Sequence, residues 1–487
     1  MTTKDIIASA PYVAMVLGAI SLMIFGDRSA KDKDAVSIRA ALGSFWCLIA
    51  LILTFPAIAN PGSTFSGLIM FDGFTFVLVL ILLLGTMLSL LLTDGTLAAQ
   101  RLERTADLEA LMIFATLGGM VMVSAAELIT LFIGLELLSI SVYALAGMAR
   151  TERASAEAAL KYFVLGSFSS AFMLYGIALI YGVTGSTELL AIGNALHGQP
   201  SVLLLLGFAF LVFGFGFKVS LVPFHFWTPD VYQGSPLSAT AYMAVVVKTA
   251  AFGAFLRVML TSFSQLDYYT GPFIWTLAVA TMSVGNLLAL RQDSVKRMLA
   301  YSSIAHAGYL LMGVLVLANQ FGGAESIVFY LLTYTLMTIG SFGVVLLLTL
   351  GSTRQYSADS IQSLRGKGWT SPFLALCLTI SLLSLGGIPP LAGFMGKLYM
   401  FKAAITGGYT GLVIIAALNS VISLYYYLRI VVVMYFQEAK ANESIVHVQL
   451  RFAPVAAIAI VSAGMCYIGI FASQYYGLAE YAIGSVR

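Results

Sequence analysis

The sequence predicts an all-α integral membrane protein with about fourteen transmembrane helices. Three observations predict it. Of 487 residues, 60% are hydrophobic and only 10% charged, against roughly 25% charged in soluble domains, and the mean hydropathy is +0.95. Apolar runs close to the roughly 20 residues that cross a bilayer recur from end to end, without strand alternation. Basic residues collect in every second loop.

The runs lie at about 8–26, 37–57, 72–93, 108–123, 125–147, 158–182, 201–223, 236–262, 272–290, 297–318, 326–350, 372–402, 409–436 and 452–471. The start, MTTKD, has a single lysine and no small-residue cleavage site before Asp27, so the first run reads as a helix and not as a cleaved signal peptide. The longest polar stretches, about 351–371 and 437–451, read as connecting loops. The whole of 1–487 is therefore expected to be one polytopic membrane domain.

Lys and Arg favour cytoplasmic loops, and here they alternate. Arg28, Lys31, Lys33 and Arg39 follow helix 1; Arg101 and Arg104 follow helix 3; Arg150 and Arg153 follow helix 5. Arg291, Lys296 and Arg297 follow helix 9, Arg354, Arg365 and Lys367 follow helix 11, and Lys440 and Arg451 follow helix 13. The intervening loops have almost none. The loop after helix 7, HFWTPDVYQGSP, breaks the rule by carrying neither Lys nor Arg. The alternation supports the count of fourteen and places both termini on the outer face.

Two runs contain helix breakers. FGFGFKVSLVPFHFW has Pro223 five residues after Lys218, and SLGGIPPLAGFMGK has Gly386, Gly387, Pro389 and Pro390 ahead of Lys397. Proline removes a backbone donor and clashes with the preceding turn. Unwound backbone at membrane depth survives only where protein or a water-filled cavity satisfies it. Matching breaks in two halves point to a transporter built from inverted repeats. The breaks fall in helices 7 and 12, and a five-helix unit repeated in tandem is inverted because an odd number of crossings reverses it. The expected units are helices 4–8 (108–262) and 9–13 (272–436), preceded by helices 1–3 (1–107) and followed by a loop and helix 14 (437–487).

A charge at the bilayer centre costs roughly 2.5–3.5 kcal/mol on insertion scales. Glu136, in LFIGLELLSI, and Lys248, in AVVVKTAAFG, are mid-helix, too deep for easy snorkelling. A straight helix would carry Lys218 toward the cytoplasmic end, but the break keeps it inside protein, and Lys397 sits beside the other break. Lys161, Arg257, Lys402 and Arg429 lie near segment ends, where snorkelling is the expectation.

His197 and His447 fall in loops, whereas His225 follows the helix-7 break and His306 lies within helix 10. A buried histidine suits proton relay and packing equally. The YYY at 425–427 reads as packing or interface. Cys47, Cys377 and Cys466 are far apart in apolar runs, which gives no support for a disulfide framework, iron–sulfur ligation or zinc. No histidine pair is placed for haem, no strand precedes the glycines at 214–216 as a nucleotide loop requires, and a net charge of +3 is too small for nucleic acid. Buried lysines and a carboxylate suit protons better than a bulky solute, because burial and a movable counter-charge shift a lysine in opposite directions. A stand-alone proton/sodium antiporter and a proton-channel subunit driven by partner chains both fit these residues.

FGFGFKVSLVPFHFWTPDVYQGSP with Lys248 after it, KRMLAYSSIAHAGYLL and GGIPPLAGFMGKLYMF resemble motifs of the antiporter-like subunits of bacterial respiratory complex I. The resemblance spans essentially the whole chain. That family also includes the large subunits of Mrp-type antiporters. WTPDVYQGSP is similar to the subunit N branch, since subunits L and M and the Mrp relatives typically carry Trp-Leu-Pro there. The long amphipathic helix that extends subunit L is not expected. The resemblance implies a proton-translocating subunit of NADH:quinone oxidoreductase in the bacterial inner membrane, beside other antiporter-like subunits. Glu136 and Lys218 would form the ion pair of the first half-channel, Lys248 the central relay and Lys397 the second half-channel. Lys161 and His306 match secondary positions. The resemblance implies no cofactor in this chain, with NADH, FMN, iron–sulfur clusters and quinone in partner subunits. An Mrp-type antiporter or membrane-bound hydrogenase subunit is the alternative.

Overall fold

Helices account for nearly all of the computed structural model, which describes residues 2–26, 35–100, 106–196, 199–317, 321–349, 359–438 and 451–486. Arg28, Lys31, Lys33, Arg101, Arg104, His197, Arg354, Lys440 and His447 lie outside the described residues. Eleven helical stretches among those described are long and apolar enough to cross a membrane.

The chain begins with α1 (Thr3–Gly26), α2 (Ala35–Ile58) and α3 (Gly73–Gln100). Between the last two, the strand pair β1 (Gly62–Thr64) and β2 (Ile69–Phe71) runs antiparallel. This hairpin departs from the all-helical expectation. Its strands are three residues long, too short to alternate visibly, and its turn needs left-handed backbone at Gly67, φ +93°.

Next come α4 (Asp107–Ser124), α5 (Leu128–Ala146), α6 (Arg153–Thr184) and the short α7 (Leu189–Ala195). Helix α8 (Val202–Val219) ends at the first break and α9 (Trp227–Gly234) follows it. Helices α10 (Leu237–Tyr242) and α11 (Lys248–Val258) are separated by a π-helical turn at Met243–Val247, and a second lies at Met259–Phe263. The expected single helix at 236–262 is thus interrupted twice, and Lys248 directly follows the first π turn.

The remainder comprises α12 (Asp267–Leu290), α13 (Val295–Val314), α14 (Gly323–Thr349), α15 (Lys367–Thr370), α16 (Pro372–Gly386), α17 (Ala392–Thr406), α18 (Thr410–Phe436), α19 (Phe452–Ile470) and α20 (Ala472–Gly484). The apolar run at 372–402 is two helices, α16 and α17, split at the second break. Helix α20 was not expected.

Packing gives the helices different ranks. Helix α14 is buried from Gly323 to Leu348 and touches α3, α10, α13, α16, α17, α19 and α20, so it is the central post. Helices α6 and α18 turn broad apolar faces outward, among them Leu160, Phe163 and Phe168, and Leu418, Val421 and Tyr425. Two hairpins are closest-packed, α4 on α5 and α12 on α13. Glycines allow both. A Cβ on Gly118 would meet the Leu138 backbone nitrogen at 2.5 Å, and one on Gly308 would meet that of Met282 at 2.5 Å, so backbones approach as in other small-residue helix contacts.

Two ionic features correct the loop and helix-end assignments. Arg257 does not snorkel. Its side chain is 3% exposed, and its two terminal nitrogens donate to Asp72 at 2.8 and 2.9 Å while Nε donates to the Val123 carbonyl at 2.9 Å. Asp72 Oδ1 also accepts from the Thr75 amide at 2.7 Å, capping the start of α3. The pair is covered because α11 does not end in water but continues into the second π turn. Arg39 is likewise no loop residue; it is buried within α2.

Candidate proton-transfer site

The two breaks are built alike. Helix α8 ends in Ser220 with φ +67°, and α16 ends in Gly387 with φ +84°. Each left-handed residue closes its helix by donating its amide to carbonyls one turn back. Ser220 takes that conformation at a cost glycine avoids, and its hydroxyl accepts from Thr228 at 2.7 Å. Val222–Pro223 and Pro389–Pro390 are cis.

This geometry explains why the lysine precedes one proline and follows the other. Lys218 sits in the last turn of α8. Lys397 belongs to α17 but reaches back across the break, donating to the carbonyl of Gly386, the last residue of α16, at 3.0 Å. A helix C-terminus carries partial negative charge and favours a cation. Both lysines are therefore associated with the end of the helix that stops, from opposite sides of the gap.

Lys218 is 2% exposed. Its Nζ donates to the Tyr143 hydroxyl at 3.4 Å and lies 4.9 Å from the Tyr143 ring centroid and 5.4 Å from that of Tyr162. Trp227 stacks on Tyr162 at 4.2 Å and is fixed by donating to the Phe217 carbonyl at 2.9 Å. The ammonium thus rests in an aromatic cage, where cation–π attraction offsets part of its desolvation.

Glu136 lies mid-way along α5, half-buried. It acts electrostatically on both Lys218 and Tyr143, yet the described residues include no direct Glu136–Lys218 ion pair within 4 Å, and Glu136 Oε1 is buried without a hydrogen bond. Tyr143, seven residues on along the same helix, is the residue that Lys218 contacts instead.

Lys248, 2% exposed, donates to the Ser303 carbonyl at 2.8 Å and also to the Ser303 hydroxyl. Lys397 donates to Ser420 Oγ at 2.9 Å and lies 5.1 Å from the Tyr309 ring centroid. Between these lysines, and within electrostatic reach of both, is His306. Its Nδ1 meets the Tyr330 hydroxyl at 2.6 Å and its Nε2 the Tyr427 hydroxyl at 3.2 Å. Helix α13 therefore presents Ser303 to one lysine, Tyr309 to the other, and His306 between.

Lys161 is not part of this buried set. Its half-exposed amine pairs with Glu157 and Asp230, each at 2.7 Å. Asp230 also holds Arg297 of α13 at 2.6 Å. Burial pushes the Asp230 carboxyl up, but hydrogen bonds and charge from Lys161 and Arg297 outweigh it and hold it below its ordinary value. His225 is buried against Phe226, its Nδ1 without a hydrogen bond. Arg429 pairs with Asp293 at 2.7 Å, in keeping with a helix-end cation.

Sequence reasoning missed Tyr143, Ser303, Tyr309, Tyr330 and Tyr427. The signal for Tyr143 was present: seven residues are two helical turns, so it shares a face with Glu136. Ser303 and Tyr309 lie three residues either side of His306 on α13, but the lysines they face, and Tyr330 and Tyr427, lie on other helices that no local spacing joins.

Broken helices with lysines buried at and between the breaks define an antiporter-like membrane protein. The family model for the transmembrane part of NADH:quinone oxidoreductase and Mrp antiporters matches residues 125–423. NADH-quinone oxidoreductase subunit N 1 of Sorangium cellulosum is 42% identical, with 99% of both chains covered. NADH-quinone oxidoreductase subunit N of Trichlorobacter lovleyi is 42% identical over 88% of each. Among solved structures, a chain of respiratory complex I from Thermus thermophilus with bound aureothin has a TM-score of 0.80 and 32% identity, covering 96% of this chain and 98% of that one. A chain of the Mrp complex from Dietzia shares the fold at a TM-score of 0.84 and 19% identity, covering 99% of this chain and 97% of that one. The chain belongs to the NADH-quinone oxidoreductase subunit N family.

Proposed function

We propose that protons cross the bilayer in this chain along Glu136, Lys218, Lys248 and Lys397, with His306 between the last two and Lys161 at the edge of the path. As a member of its family the chain is the proton-translocating membrane subunit of NADH:quinone oxidoreductase. The single observation that carries the residue assignment is the burial of Lys218, Lys248 and Lys397, without an ion-pair partner among the described residues, at the two helix breaks and the π turn between them. Lys296, also buried, lies apart at the start of α13. Each of the three is held by hydroxyls, carbonyls or aromatic faces, which stabilise an ammonium without neutralising it. Such a group can lose its proton when a neighbouring charge moves.

The proposed path runs through fourteen crossings. These are α1 to α6, α8, the α10–α11 unit, α12, α13, α14, the α16–α17 unit, α18 and α19. Helices α4 to α11 and α12 to α18 are the two inverted units. Supporting this, α4–α5 and α12–α13 are matched hairpins, and α6–α8 and α14–α16 are matched contacts that each lead into a break. Both termini face the periplasm of a bacterial inner membrane, by the alternation of basic loops. Other antiporter-like subunits flank the chain, and NADH, FMN, iron–sulfur clusters and quinone belong to partner subunits. Quinone reduction there supplies the energy as shifts of charge toward Glu136.

Affinity purification through a tag on this chain tests the reading. It predicts co-purification of a flavin- and iron–sulfur-bearing NADH dehydrogenase that pumps protons, and loss of that pumping in Lys397→Ala. Isolation of the chain without redox partners, with sodium/proton exchange intact, contradicts it.

A further inference from the structure

The triple tyrosine at 425–427 separates in space. Tyr425 is 63% exposed, while Tyr426 and Tyr427 are buried with their hydroxyls in reach of one another. Tyr426 donates to Asn286 Oδ1 at 2.9 Å, and Asn286 in turn donates to Tyr309 and Asn419. Tyr427 does something else. Its hydroxyl joins Ser302 Oγ and His306 Nε2, two groups four residues apart and hence stacked on one face of α13. His306 Nδ1 continues to Tyr330.

Ser302 lies one turn nearer than His306 to the end of α13 that carries Lys296 and Arg297, which the loop charges place on the cytoplasmic side. The order Ser302, Tyr427, His306, Tyr330 therefore leads from that end of the helix to the point between Lys248 and Lys397. A neutral imidazole has one donor and one acceptor nitrogen, and both are donors once it is protonated. Tyrosine and serine hydroxyls donate and accept at once. All four groups can thus turn their hydrogen bonds round together.

We propose that Tyr427 is a relay residue that passes protons between Ser302 and His306, feeding the central histidine from the basic-loop end of α13. The step balances as follows. A proton bonds to the Ser302 oxygen as the serine hydrogen passes to the Tyr427 oxygen. The tyrosine gives its own hydrogen to His306 Nε2, and the Nδ1 hydrogen leaves toward Tyr330. One proton is gained at the serine end and one released at the tyrosine end; only O–H and N–H bonds form and break. Rotation of the hydroxyls and reversal of the imidazole tautomer reset the chain. The proposal rests on the proton-translocation reading above.

The test uses the assembled membrane complex and measures proton pumping per complex in Tyr427→Phe, Tyr425→Phe, Ser302→Ala, His306→Ala and Lys248→Ala. The relay predicts a loss of about tenfold or more in Tyr427→Phe, in the range of a lost proton-transfer group. Tyr425→Phe, the same ring change in the exposed neighbouring position, pumps close to wild type. Adding His306→Ala to Tyr427→Phe causes no further loss, because both interrupt one path; a packing role for the tyrosine gives multiplied losses instead. Where Tyr427→Phe does not assemble, Ser302→Ala decides, since it opens the chain at its other end with the ring in place. Near-wild-type pumping in Tyr427→Phe or Ser302→Ala, or multiplied losses in the double variant, overturns the relay while a dead Lys248→Ala leaves the wider reading standing. Wild-type pumping in Lys248→Ala as well removes that reading and the relay with it.

Discussion

Lys218 of α8 donates its ammonium to the hydroxyl of Tyr143 on α5, at 3.4 Å, rather than to the carboxylate of Glu136 two turns away on the same helix. In this arrangement lysine and carboxylate are apart. The aromatic cage lets the cation remain buried while the counter-charge is not in contact. On the proton path proposed above, the carboxylate would hold the amine's proton on reaching it, and separation would let the proton leave.

Charge, and not size, at position 136 should set turnover. Glu136→Gln keeps the length but loses the charge, and should lower coupled proton uptake more than Glu136→Asp, which keeps the charge with a shorter reach. Both variants should assemble. Proton uptake measured beside quinone reduction in the two complexes checks the order; equal activity of glutamine and glutamate would make Glu136 a packing residue.

Tyr143→Phe should leave the Lys218 cage intact as a set of ring faces but remove the hydroxyl that accepts its hydrogen bond. The expected result is a reduced rate with normal assembly, because a buried amine loses a partner worth about 1.5–3 kcal/mol for a charged group. Steady-state pumping of the purified complex is the check, and an unchanged rate would leave the cage to the ring faces alone.

The Asp72–Arg257 pair should matter for folding and not for proton transfer. Removing one partner leaves an unpaired buried charge, at about 3–5 kcal/mol. Asp72→Ala should therefore lower the amount of assembled complex, whereas the complex that does assemble should pump normally per molecule. Quantifying assembly and specific pumping separately distinguishes this from a catalytic role.

Much of this architecture was legible in the sequence, because a bilayer imposes simple demands. Apolar length located the helices, and breakers located both gaps, since Pro223 and Gly386–Gly387 are intelligible only where backbone is satisfied by protein. Depth alone singled out Glu136 and Lys248 as candidates. What was not legible is whatever depends on two helices meeting. The partners of Lys248 and His306 lie 55 and 121 residues away. Arg257 looked like a helix-end cation because its distance to Asp72, 185 residues earlier, has no trace in local pattern. The π turns escaped for another reason: one added residue per turn leaves an apolar stretch equally apolar.

Asp230 supplies a pH test. Its carboxyl is held below its ordinary value by Lys161 and Arg297, so the stabilisation is present above the unfolded carboxylate value of about 3.9 and is lost as pH falls through the folded value. Between pH 6 and pH 8 it is constant. Asp230→Asn should thus lower thermal stability by about 1 kcal/mol or less, as for partly exposed pairs, and leave the shape of the pumping profile over that interval unchanged. A profile altered between pH 6 and pH 8 would place Asp230 in the proton path.

The central claim is that buried, titratable lysines carry the proton, and Lys248 tests it most directly because it sits between the two breaks at the foot of a π turn. Proton pumping and quinone reduction should be measured together in assembled complexes carrying Lys248→Ala and Lys248→Arg. The account predicts that alanine abolishes coupled pumping and that arginine, which stays charged at any accessible pH, fails to restore it. Wild-type pumping in the assembled Lys248→Ala complex would contradict the account.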